Sequence, residues 1–208
     1  MKKKLTTKQL TLLSLMTALL LLMAFTPLGY CNIGPLAMSF NMIPVAISAI
    51  AAGPAGGLIA GGVFGLTSFL QCIGIGGVSK MGSMLFSISP VLTFIQCFGP
   101  RLLDGYLIGL IFKGVRKATG KVSAGAFVTG FCAAFLNTLF YMSCLVFLFG
   151  NTEYMQGLIA GRNIIVFICA FVGVNAVCEM ISSTIITGLV SAALYKARLL
   201  LPEQSANK

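Results

Sequence analysis

The sequence contains no histidine and no tryptophan, and only four of its 208 residues are Asp or Glu. Without histidine, no side chain has an ordinary charge change near neutral pH, so proton transfer lacks its natural carrier and imidazole-based zinc or haem sites are excluded. Charged residues make up 9% of the chain. Soluble domains carry roughly a quarter, because water must be faced over most of their surface. Energy and catalytic motifs are missing too. There is no G-x-S-x-G, no H-E-x-x-H and no G-x-x-x-x-G-K-[ST]; the nearest stretch, Gly120-Lys121-Val122, lacks the spaced glycine and the hydroxyl. A P-loop ATPase is ruled out, no cofactor or metal is expected, and a membrane enzyme would have to draw its groups from Asp104, Glu153, Glu179, Ser and Cys. The cysteines, Cys31, Cys72, Cys97, Cys132, Cys144, Cys169 and Cys178, show no C-x-x-C spacing. An odd count scattered through apolar runs reads as reduced, buried thiols acting as small hydrophobes.

What is abundant is apolar: 58% of the residues are hydrophobic and mean hydropathy is +1.00. At about 20 apolar residues per crossing the chain has room for roughly six membrane helices. The expected fold is therefore an all-α integral membrane protein, one domain over 1–208 forming a six-transmembrane-helix bundle. Its helices are expected at about 10–26, 36–52, 55–71, 91–112, 122–149 and 163–194. The first apolar run also resembles a signal peptide, but no A-x-A-like cleavage site follows it and apolar content continues throughout. Gly53-Pro54 predicts a tight return, and Pro100 a kink or a helix start. Between Cys72 and Pro90 glycine and serine dilute the hydrophobicity, which predicts a long ordered loop suited to covering a binding site.

The formal charge is +10, and its distribution reads as membrane topology. Six crossings put both termini and the loop at 113–121 on one side. Lys2, Lys3, Lys4, Lys8, Lys113, Arg116, Lys117, Lys121, Lys196, Arg198 and Lys208 lie there, and only Lys80, Arg101 and Arg162 lie elsewhere. By the positive-inside rule the termini are expected to be cytoplasmic in a multi-pass cell-membrane protein, with the long loop facing outward.

Two kinds of residue bear on function. Gly53, Gly57, Gly61 and Gly65 recur every four residues with Gly56, Ala60 and Gly62 beside them, a pattern that lets another backbone approach closely, whether from this chain or another. Ser14 and Ala18 make a second, weaker small-x-x-x-small pair, a possible docking face. Polar residues at membrane depth are the other pointers. Arg101, with Lys80 from the long loop, suits an acidic group on a solute; the competing reading pairs it with Asp104, three residues on and on the same helix face. Asn137 with Tyr141, and Asn175 with Glu179, each share a helix face at a spacing of four. Together with Asn41, Gln71 and Gln96 they would line a polar pocket, unless each serves an interhelical hydrogen bond instead. Glu179 would repel an anionic ligand and is expected to lie deeper or to pair elsewhere.

Across nearly its whole length the chain resembles the substrate-binding subunits, or S components, of energy-coupling-factor vitamin importers. The resemblance rests on the basic N-terminus, Thr26-Pro27-Leu28-Gly29-Tyr30, Ile33-Gly34-Pro35, Met42-Ile43-Pro44-Val45, Gly53-Pro54-Ala55-Gly56-Gly57 and Gly61-Gly62-Val63-Phe64-Gly65-Leu66. Phe86-Ser87-Ile88-Ser89-Pro90, Gly99-Pro100-Arg101-Leu102-Leu103 and Asn137-Thr138 look most like the pantothenate-type branch; Met42 departs from it, standing where histidine would be expected. The resemblance implies a six-helix bundle that captures a water-soluble vitamin at the outer surface under its first and third loops. It further implies docking through small residues of helix 1, here Ser14 and Ala18, on a membrane coupling subunit driven by two ATPase chains. Pantothenate, with one carboxylate for one intramembrane arginine, is the first expectation; riboflavin, folate or another heterocycle read by stacking is the alternative. Nucleic acid is not an expected partner.

Overall fold

The computed structural model describes residues 5–26, 29–32, 37–76, 79–161 and 163–200. The chain runs α1 (Thr7–Phe25), β1 (Tyr30–Asn32), β2 (Ala37–Ser39), α2 (Met42–Cys72), α3 (Lys80–Ile88), α4 (Pro90–Thr119), α5 (Val122–Phe149), α6 (Glu153–Ile159) and α7 (Ile164–Lys196). Four of these helices are long and apolar enough to cross a membrane by length and composition: α1, α2, α5 and the Val172–Lys196 part of α7. Helix α4 is long as well, but carries Arg101, Asp104 and a basic last turn.

Local chemistry explains the ends. At α1, Thr6 and Gln9 form a reciprocal capping box. Ser79, Ser89 and Thr152 accept hydrogen bonds from the first turns of α3, α4 and α6. Helix α4 starts with proline, which has no amide hydrogen to lose, and ends at Gly120 in the left-handed region.

Helix α2 is two helices joined at Gly53, whose φ of 69° and ψ of −160° reverse the chain ahead of Pro54. A Cβ at Gly57 would lie 3.0 Å from the Ala49 Cβ. Residues eight apart in a straight helix are about 12 Å apart, so the two legs fold back on each other. The return expected at Gly53-Pro54 is thus a hairpin closed by a residue without a side chain. The glycine stripe of the second leg meets α4 of the same chain. A Cβ at Gly57 would collide with Gly105 O, one at Gly61 with Arg101 O, and one at Gly65 would sit 2.9 Å from the Phe98 Cα; across from them, a Cβ at Gly109 would lie 2.5 Å from the Pro54 Cα. Close backbone packing is what holds helices together where lipid removes the hydrophobic drive.

Several expectations need correction. The second helix does not begin at residue 36: Ala37–Ser39 pairs antiparallel with Tyr30–Asn32, and the helix starts at Met42. Pairing this ribbon satisfies backbone groups that an irregular loop would leave open. The stretch from Cys72 to Pro90 is not all loop, because Ser79 caps a short helix, α3, with Met81 and Leu85 buried. Between the helices expected at 122–149 and 163–194 lies a further short helix, α6, with Met155 and Ile159 buried beside Leu145 and Phe149. Pro100 does not start a helix, because α4 begins at Pro90 and runs through it.

The two ends of the bundle differ. Gln9 Nε2 donates to Ala51 O (3.0 Å), and Leu12, Ile50, Phe112, Ala126 and Leu200 form one cluster. The start of α1, the Gly53 turn, the α4–α5 connection and the end of α7 therefore share one end. Lys8, Lys113, Arg116, Lys117, Lys121, Lys196 and Arg198 belong to it. The ribbon, α3 and α6 lie at the other. Lys2, Lys3, Lys4, Pro27, Pro35, Arg162 and Lys208 lie outside the described residues.

Candidate functional site

The site is built on α4. Its buried face carries Gln96, Arg101 and Asp104, of which Gln96 and Asp104 are fully buried and Arg101 is 8% exposed. Packing of Gly61 and Gly65 against the α4 backbone brings Phe64 of α2 under the arginine: the guanidinium carbon lies 4.5 Å from the Phe64 ring centre and 4.9 Å from that of Tyr141 on α5. A cation held between two aromatic faces gains from both quadrupoles, and more when water is excluded. Arg101 Nη1 donates to Cys97 O at 2.8 Å, but its Nε has no partner among the described residues. The pairing with Asp104 does not form: both Asp104 carboxylate oxygens are buried without a hydrogen-bond partner among the described residues. Three residues along one helix bring the two side chains to one face, yet the guanidinium is drawn toward the rings instead.

Around this centre the other polar residues divide. Gln96 Nε2 donates to Tyr141 O at 2.8 Å, which fixes its amide and leaves Oε1 as a buried acceptor without a donor. Asn41, fully buried just ahead of α2, sets its Nδ2 3.3 Å from Ser39 Oγ while its Oδ1 has no partner; the Asn137 Oδ1 has none either. Gly130 lies against Ser183 and Thr187. Moving two turns toward the ribbon end along antiparallel α5 and α7 from there brings Asn137 to the level of Glu179. Asn175 is buried one turn beyond.

Glu179 resolves its own expected conflict with an anion. Its Oε1 accepts the Ser39 amide hydrogen at 2.6 Å, so the carboxylate is turned to the β-ribbon and holds β2 against α7. Gln71 is separate as well, since its Nε2 donates to Ala24 O at 2.5 Å and ties α2 to the end of α1. Lys80 is exposed in the first turn of α3, and its side chain makes no hydrogen bond among the described residues. Ser14 and Ala18 are both exposed on α1. Phe64 and Ser39 belong to this site and escaped the sequence reading. Phe64 lay inside the glycine stripe, whose signal was packing, and Ser39 acts through its backbone amide, which no residue pattern announces.

Of the buried atoms on Asn41, Gln96, Arg101, Asp104 and Asn137 that have no partner among the described residues, five are acceptors and one, Arg101 Nε, is a donor. Such an arrangement can hold a solute: it offers a fixed cation, aromatic walls and oxygens awaiting donors. A model of the ECF transporter substrate-specific component family matches residues 8–191. The chain belongs to that family. This ECF substrate-specific component is accordingly a membrane protein and the substrate-binding subunit of an importer, with coupling and ATPase functions on other chains. A comparison with curated proteins finds no match.

Proposed function

We propose that this component captures a water-soluble vitamin bearing one carboxylate, with pantothenate the first choice, and that the carboxylate meets Arg101. The observation that carries the reading is the guanidinium itself, buried, held between Phe64 and Tyr141, and without a carboxylate partner among the described residues. A buried charge lacking a counter-ion is costly, and an anionic solute supplies one. The unpartnered oxygens of Asn41, Gln96 and Asn137 call in addition for donors on the solute, because a buried acceptor left unmet costs about 1–3 kcal/mol. Pantothenate offers an amide N–H and hydroxyls besides its acid. Flat heterocycles such as riboflavin or folate remain the second choice, since Phe64 and Tyr141 offer stacking faces; those faces already carry the arginine.

In this reading six segments cross the bilayer: α1, the two legs of α2, α4, α5 and α7. The basic end is cytoplasmic and the ribbon end receives the solute. Ser14 and Ala18 face the coupling subunit, which two ATPase chains drive. Calorimetric titration of the detergent-purified protein tests the site. Arg101→Ala is expected to weaken pantothenate about 30-fold or more, as for loss of one member of a buried charge pair worth at least about 2 kcal/mol. Pantothenol, in which an alcohol replaces the carboxylate, should lose a similar amount against the unmodified protein. Unchanged affinity in both would reduce Arg101 to a packing residue.

A further inference from the structure

Cys72 and Cys97 come from different helices, and their sulfurs lie 3.6 Å apart, with the residues 5% and 1% exposed. The backbones around them are almost in contact: a Cβ at Gly65 would be 2.9 Å from the Phe98 Cα and 3.1 Å from Cys97 O. Cys72 is the last residue of α2, at the ribbon end, and Ile73, Gly74, Ile75 and Gly76 beyond it are exposed. Gly82 of α3 covers its sulfur; a Cβ there would be 2.5 Å from Cys72 Sγ. Cys97 connects to the candidate site directly, since its carbonyl accepts the Arg101 Nη1 hydrogen bond at 2.8 Å.

Single buried thiols behave as small hydrophobes. Two that face each other are a dithiol, which can close to an S–S bond of about 2.05 Å. The sulfurs of this pair need to approach by roughly 1.5 Å, the difference between the observed separation and that bond length.

We propose that Cys72 and Cys97 form a site of reversible oxidation that acts on the Arg101 anchor. In the step two S–H bonds break and one S–S bond forms. The two electrons and two protons pass to an oxidant: a peroxide, reduced to water, or an azo compound such as diamide, reduced to the hydrazine. A dithiol reductant reverses it. The bond cross-links the ribbon end of α2 to α4 one turn before Arg101, and so displaces the carbonyl that orients the guanidinium. The effect on binding rests on the proposed role of Arg101, whereas the chemical step does not.

The test uses the full chain in detergent, treated with diamide, alkylated under denaturing conditions and mapped by mass spectrometry without reduction. The expected product is a Cys72–Cys97 cross-linked peptide two hydrogens lighter than the sum of its parts, absent in Cys72→Ser and in Cys97→Ser, and lost on reduction. Pantothenate affinity should change at least fivefold on oxidation of the wild type and not in Cys72→Ser. Alkylation of both thiols in the diamide-treated wild type overturns the proposal, as does preferential cross-linking to the half-buried Cys132, Cys144 or Cys178 or the exposed Cys169. A cross-link that leaves affinity unaltered overturns its link to Arg101. If the cross-link forms but the reduced protein binds no carboxylate, the oxidation site stands and the anion reading falls.

Discussion

Along one face of α4, Gly105 and Gly109 meet Gly57 and Pro54 with no side chain between the backbones, whereas on the adjoining buried face Gln96, Arg101 and Asp104 hold polar atoms that nothing among the described residues satisfies. The first contact tolerates no movement, because each neighbour is backbone rather than a flexible side-chain tip. The second is expensive by itself and makes sense where something else completes it. Placing the two on one helix gives the unsatisfied face a rigid support. Arg101 shows the coupling most plainly, since its carbonyl packs against Gly61 while its guanidinium lies between Phe64 and Tyr141.

The largest expected effect comes from breaking the glycine seam. Gly57→Leu drives a side chain into Gly105 O, and a backbone cannot give way as a side chain does. A destabilisation at the upper end of the overpacking range, about 3 kcal/mol, is expected, seen as lost monodispersity and a lowered unfolding temperature in detergent. A normally folded Gly57→Leu protein would mean that the seam does not hold α4. A middle-sized effect belongs to the polar face. Gln96→Leu removes the acceptor Oε1 and the bond to Tyr141 O. It should weaken a donor-bearing carboxylate by about 1–3 kcal/mol while weakening a plain aliphatic monocarboxylate much less. Equal losses for both solutes would show that Gln96 serves only to join α4 to α5. The smallest effect on binding is expected at a third surface, α1, where Ala18 is exposed and takes no part in either α4 face. Ala18→Leu should change solute affinity by less than about twofold, within the usual range for surface substitutions, yet reduce co-purification of the coupling subunit. A large loss of solute binding would make α1 part of the receptor.

The misreadings have a common cause. Short elements such as β1, β2, α3 and α6 carry too few residues for a period to show, and they exist because caps and buried anchors such as Met81, Leu85, Met155 and Ile159 hold them. Glu179 was recognised as a poor neighbour for an anion; the Ser39 amide that turns it aside lies 140 positions away in the chain. Gln71 looked like the other polar candidates because polarity at membrane depth does not say which way an amide points.

Composition and spacing alone determined that this chain is a membrane protein with no P-loop motif in its sequence, that one stripe of a helix admits a close neighbour, and that Arg101 is the cation to explain. These follow from transfer energies and helical period, which are properties of residues and their separations along the chain. Only the tertiary structure decided that the stripe's neighbour is α4, that Arg101 lies on Phe64 and Tyr141 instead of pairing with Asp104, and that Cys72 faces Cys97. Each of those is a contact between helices. Which residues meet across two helices depends on how the backbones pack and turn, and the spacing within either helix does not contain that information.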